Sequence, residues 1–227
     1  MNKFICIALG FCVYLPLVTT ELIRAALVGV CAAAPVGPVL LLVIQKTLSR
    51  GRLAGMLTGL GAAVGDSAFA TVGLLALSLA GDLLSRHQAV LMVAGGLLLA
   101  LVGFSMYNSH VRLAAEGGGS DISVWSCPLQ SMATTLSNPG AIALVTSLLG
   151  IMHLGSGTTV TPVPLLVAAV FAGELAYWVL LVSALSSFVR LREKTLERAG
   201  RIAGIVVWGF AVVLLVKGAL LFFRNVN

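Results

Sequence analysis

Charge is what this chain has least of. Of its 227 residues only 10% are Asp, Glu, Lys or Arg, while 59% are hydrophobic. A soluble domain carries about 25% charged residues, and a surface so poor in ions would associate through apolar patches. A water-soluble globular protein is therefore excluded, and lipid is the natural solvent. Histidine is scarce too, and the four cysteines, Cys6, Cys12, Cys31 and Cys127, include no CxxC pair. No zinc site or thiol relay follows; the cysteines read as small buried packing residues. No cofactor and no metal centre are expected. The absence of an HExxH or a nucleophile–base pair speaks against an intramembrane enzyme. The formal charge of +6 does not point to nucleic acid. The basic residues punctuate apolar runs, as they do where cytoplasmic loops concentrate Lys and Arg.

What is present is long apolar sequence. Runs at about 24–46, 53–80, 88–108, 128–152, 162–189 and 201–223 each approach or exceed the ~20 residues that a transmembrane helix needs. They lack the alternation of barrel strands, so continuous helices remain. The expected fold is an all-α polytopic membrane protein with six transmembrane helices. The loops after the first, third and fifth spans hold Lys46, Arg50, Arg52, Arg112, Arg190, Arg192, Lys194, Arg198 and Arg201; the opposite face holds Arg24, Arg86, Lys217 and Arg224. The richer face is assigned to the cytoplasm, which places the C-terminus outside. Lys3 followed by the apolar stretch Phe4–Leu17 has the layout of a signal peptide or of a signal anchor kept as a seventh helix. The organisation read from these features is a leader at 1–20, a three-helix repeat at 21–114, a flexible cytoplasmic linker at 115–127 around Gly117–Gly119, and a second three-helix repeat at 128–227.

The halves resemble each other. PVGPVLLL (Pro35–Leu42) in the first span matches SNPGAIAL (Ser137–Leu144) in the fourth, and GDSAF (Gly65–Phe69) in the second matches GELAY (Gly173–Tyr177) in the fifth. Three spans per half is odd, so the second repeat is inverted. Inverted repeats with interrupted helices near mid-membrane mark secondary transporters. A proline removes one N–H and frees the carbonyl four residues earlier, and such a break survives in lipid only against protein or a wet cavity. Half-helix ends then offer N–H groups to a carboxylate and C=O groups to an ammonium. Taken singly, Pro35, Pro38 and Pro139 could merely kink packed helices; their matched placement favours a binding role for them, with Gly37 and Asn138 beside them.

Of the eight acids, six are assigned to tails or loops, and two, Asp66 and Glu174, fall near the centres of spans. A charge there costs at least about 2.5–3.5 kcal/mol. Each is a candidate proton carrier, or a ligand for a sodium ion or the substrate amine, and the two are expected to face one cavity. Tyr177 follows Glu174 and is a candidate lining residue, with aromatic packing the alternative. Gly51, Gly55, Gly59, Gly61 and Gly65 form a close-packing face, toward either the first span or a second protomer, so a homodimer stays open.

The stretch Pro35–Ala70 resembles the N-terminal signature of the LysE/RhtB family of amino-acid exporters: a Pro-x-Gly-Pro break (Pro35, Gly37, Pro38), a basic loop ending in Gly51–Arg52, spaced glycines (Gly55, Gly59, Gly61, Gly65), then Asp66. The NPGAI run (Asn138–Ile142) is similar to the family's second Asn-Pro segment, and Arg201–Leu215 to its last span. Glu174 stands where the family has small residues, so its role is read from this chain alone. The resemblance implies export of an amino acid or similar small zwitterion across the bacterial inner membrane, driven by an ion gradient, with alternating access and protons or sodium as the coupling ion. The competing readings are an exporter of a metal or other small cation, an intramembrane enzyme, and a structural membrane subunit.

Overall fold

Lipid offers the backbone no hydrogen-bond partners, so each apolar run satisfies its own N–H and C=O groups by coiling. The computed structural model describes residues 2–35, 37–79, 93–97, 100–101, 104, 124–155, 159–188 and 193–226, with no strand among them. Its main helices are α1 (Asn2–Ala33), α2 (Pro38–Arg50), α3 (Arg52–Leu79), α4 (Cys127–Leu136), α5 (Pro139–Ile151), α6 (Val163–Phe188) and α7 (Glu193–Val226). Leu15–Ala33 of α1, Arg52–Ser78 of α3 and Val163–Ser186 of α6 are each long and apolar enough to cross a bilayer, and α4 with α5 qualifies as one crossing bent by 75°. The chain is an all-α, multi-pass membrane protein.

The two proline breaks are real and similar. Ala34 N donates to Val30 O at 3.2 Å; Pro35 has no N–H with which to continue. Gly37 and Asn138, each held extended by the proline that follows, precede α2 and α5, both of which start on proline and run 13 residues. At ~1.5 Å per residue neither spans a ~30 Å hydrocarbon core alone. Asn138 caps α5, its Oδ1 accepting from Gly140 N at 3.0 Å, whereas α2 has no side-chain cap.

Several expected boundaries shift. The run at 24–46 is two helices, and the leader is continuous with the first of them, because nothing between residues 2 and 33 breaks the hydrogen-bond ladder except the tolerated Pro16. Glu21 therefore sits in a helix rather than a tail, and Glu193 and Glu197 sit in α7. Lys46, expected in a solvated loop, is buried within α2, and Cys31 is exposed rather than packed. The linker expected to reach 127 ends earlier, since Val124–Ser126 form a 3-10 turn leading into α4. Most of the third span and the glycine run at 117–119 lie outside the described residues.

Helix directions follow from named contacts. Arg52 Nη2 donates to Ser183 Oγ at 3.3 Å, Gly59 lies against Trp178, and Asp66 meets Glu174, so α3 and α6 run antiparallel. Glu21 meets Val160 and Thr161 while Gly29 meets Val170, so α1 runs parallel to α6. Gly61 meets Pro128 and Gly65 meets Thr135, so α4 runs parallel to α3. The glycine face thus serves α2, α6 and α4 of its own chain, Gly55 lying against Thr47. Two apolar clusters result. One joins Val28, Ala70, Leu74, Leu148 and Val170; the other joins Val43, Ile44, Ala62, Trp178 and Val182. Leu27, Leu53, Val72 and Leu180 point outward, as a lipid-facing surface requires.

Candidate functional site

Asp66 stands one turn after Ala62 and one turn before Ala70 on α3. Glu174 stands one turn after Val170 and one turn before Trp178 on α6. Ala62 and Trp178 belong to one apolar cluster, Ala70 and Val170 to the other. The two acids therefore meet at the seam between the clusters, where the antiparallel helices cross. Asp66 is 7% exposed and Glu174 0%, and their carboxyl groups interact side chain to side chain.

The backbone makes this meeting possible. Gly59 leaves room for Trp178, whose Cγ lies 2.7 Å from where a β-carbon on Gly59 would stand. The indole Nε1 of Trp178 then donates to Glu174 Oε1 at 3.1 Å, fixing that carboxyl on its own helix. Gly173, beside Glu174, admits the backbone of α1 at Ala26, and Gly65, beside Asp66, admits Thr135 of α4. The Gly–acid pair does the same job in both halves: the glycine lets a helix from the other half approach, and the acid next to it faces the partner acid.

Among the described residues, several polar groups here find no hydrogen-bond partner. Asp66 Oδ1 and Glu174 Oε2 accept no hydrogen bond, and neither the Ser131 nor the Thr135 hydroxyl of α4 has a partner. Ser131 is 0% and Thr135 1% exposed. A buried unpaired polar group costs about 1–3 kcal/mol, so several on helices packed around Gly65 and Asp66 indicate a place built for a polar ligand.

Among the other sequence candidates, Tyr177 is half-buried, its ring edge-to-face with Trp178 at 5.2 Å and packed on the second cluster, against the indole that holds Glu174. Pro35, Gly37 and Asn138 are half-buried, Pro38 and Pro139 exposed. They form the two helix breaks. Ser131 and Thr135 were not singled out by sequence; their spacing of four on a short helix after a proline was the available signal.

The sequence profile described as LysE type translocator matches residues 30–218, which include both breaks and both acids. This chain belongs to the LysE family of translocators. The translocator is 26% identical to the threonine efflux protein of Salmonella typhimurium over 210 residues, 85% of this chain and 96% of that one. It is 25% identical to the threonine efflux protein of Escherichia coli K12, over 86% and 97% of the two chains. An uncharacterised membrane protein of Escherichia coli K12 is 27% identical over 80% of this chain and 83% of its own. No solved structure matches the translocator. It is a membrane transporter, not an enzyme.

Proposed function

We propose that the translocator exports an amino acid or a related small zwitterion across the bacterial inner membrane by proton-coupled alternating access. The observation that carries this reading is the buried meeting of Asp66 and Glu174 with an open acceptor oxygen on each. Two adjacent carboxylates in a low-dielectric crossing cannot both stay charged alone. A cation must neutralise them, and a proton from one side or an ammonium from the other serves equally well. A site that holds either but not both exchanges them, which is the requirement for antiport. The names of the two efflux relatives support an amino acid as the cargo.

The exchange of contacts supports a 3+3 inverted repeat. Swapping the halves turns the parallel contact of α1 with α6 into that of α4 with α3, and turns the antiparallel contact of α3 with α6 into itself. A two-fold relation of this kind gives two outward-equivalent states, the basis of alternating access. The breaks before α2 and α5 supply half-helix starts suited to the carboxylate end of the cargo. Cytoplasmic loops on the Arg50–Arg52 side and an outward C-terminus complete the arrangement.

The test is transport by the full chain in proteoliposomes loaded with L-threonine and other labelled amino acids, under an imposed proton gradient. Gradient-driven efflux is expected in the wild type and lost in Asp66→Asn, with the variant inserted at normal levels. Undiminished coupling in that variant overturns the role of the pair. A deletion strain challenged in parallel with amino acids and metal salts separates the competing cargo: hypersensitivity to metals alone contradicts the amino-acid reading. Among the described residues no cluster of three or more His, Cys, Asp or Glu could hold a metal ion.

A further inference from the structure

Threonine hydroxyls on helices in lipid normally return to their own backbone, donating to the carbonyl four residues earlier. Here Thr47 donates to Val43 O at 2.6 Å, Thr58 to Ala54 O at 2.7 Å, Thr71 to Ser67 O at 2.8 Å, Thr134 to Gln130 O at 2.8 Å and Thr146 to Ile142 O at 2.7 Å. Thr135, adjacent to Thr134 on the same helix, does not. Its Cγ2 lies over Gly65, 2.9 Å from where a β-carbon would stand, and its hydroxyl is buried without a partner among the described residues, as is that of Ser131 one turn earlier. Both lie on the short helix that the Asn138–Pro139 break separates from α5, the helix that packs on Gly61 and Gly65 of α3 through Pro128, Met132 and Thr135.

We propose that Ser131 and Thr135, together with Asp66 and Glu174, form the site for the ammonium group of the exported amino acid. The inference rests on the exporter reading above and deepens it. Two carboxyls and two hydroxyls, buried on helices that pack around Gly65 and Asp66, have open acceptor oxygens with no donor aimed at them among the described residues. A primary ammonium brings three N–H donors and one positive charge, matching both deficits at once. The carboxyls supply the charge, while the hydroxyls supply the remaining acceptors and set how deep the ammonium sits. This division also explains how a proton and a substrate compete: a proton neutralises the acid pair but leaves the hydroxyls unsatisfied, so an amine gains contacts that a proton does not.

The experiment uses full-length protein in proteoliposomes, with the wild type, Ser131→Ala, Thr135→Val and Thr135→Ser compared for a panel of labelled amino acids including L-threonine. For the amino acid the wild type carries, Ser131→Ala and Thr135→Val are expected to raise KM by at least about tenfold, the scale of a lost hydrogen bond to a charged group, while Thr135→Ser keeps wild-type values. Competition by the matching 2-hydroxy acid, which replaces the ammonium with a hydroxyl, is the readout that packing does not move. The wild type is expected to discriminate strongly against it, and the two hydroxyl-deleted variants to lose most of that discrimination. Thermal unfolding in detergent identifies any variant that fails to fold, and Thr135→Ser then carries the comparison through its unchanged discrimination. Unchanged KM and discrimination in both deletion variants overturn the proposal while leaving the exporter reading intact. A shift in sodium dependence with the amino-acid KM unchanged also overturns it, by making the cluster an inorganic cation site. A wild type that carries no amino acid fails the exporter reading itself, and this inference with it.

Discussion

Glu21 is a residue whose chemistry appears only once its distant partners are in place. Its Oε1 accepts from Val160 N at 3.1 Å and its Oε2 from Thr161 N at 2.8 Å. One carboxylate thus holds the N–H groups of Val160 and Thr161 just before α6 and ties that segment to α1. The same residue type does a different job at Glu174, where one oxygen is held by Trp178 and the carboxyl interacts with Asp66. Charge-assisted hydrogen bonds to exposed backbone contribute modestly, and Glu21→Gln keeps one acceptor of the two. That variant is expected to lose about 1 kcal/mol of stability, read as a lower unfolding temperature in detergent. Transport by the folded fraction is expected to persist, since Glu21 lies away from the Asp66–Glu174 crossing.

At the scale of the helix, contact distance is set by glycine. Without a hydrophobic driving force between helices in lipid, close backbone approach supplies much of the association. A β-carbon at Gly173 would strike the carbonyl of Ala26, and one at Gly61 the carbonyl of Pro128. Both obstacles are backbone, which cannot rotate aside. Gly173→Ala and Gly61→Ala are therefore expected to destabilise by about 1–3 kcal/mol, lowering the yield of monodisperse protein. Gly150→Ala, which meets nothing within 4 Å, is the matched control expected to leave it unchanged. Similar destabilisation of all three variants would show that approach distance does not decide, since Ala otherwise favours a helix over Gly by about 1 kcal/mol.

For the whole molecule, the relevant quantity is direction. The parallel contact of α1 with α6, the parallel contact of α3 with α4 and the antiparallel contact of α3 with α6 are consistent with two oppositely oriented halves. The excess of cations beside α2, α3 and the end of α6 predicts that this face is cytoplasmic. Single cysteines placed at Ser49 and Ser186 in a background freed of native cysteine are expected to be shielded from a membrane-impermeant thiol reagent added outside intact cells. One at Asn227 is expected to be labelled. Labelling of Ser49 and Ser186 from outside, with Asn227 protected, would reverse the orientation and the direction of transport with it.

Composition and periodicity by themselves determined the solvent, the helical class and the two breaks. Lipid leaves the backbone one way to satisfy itself, and proline removes that way at fixed positions. The paired Gly–acid motifs at Gly65–Asp66 and Gly173–Glu174 were legible for the same reason: a carboxyl in an apolar run is costly enough to stand out. Only the tertiary structure decided that the two acids meet, that Trp178 holds one of them, that Thr135 packs on Gly65, and that the Ser131 and Thr135 hydroxyls find no partner among the described residues. It also decided that Lys46 is buried in α2 and that the N-terminal stretch joins α1. These depend on which helix faces cross and how closely, and a sequence carries no term for the distance between residues 108 positions apart.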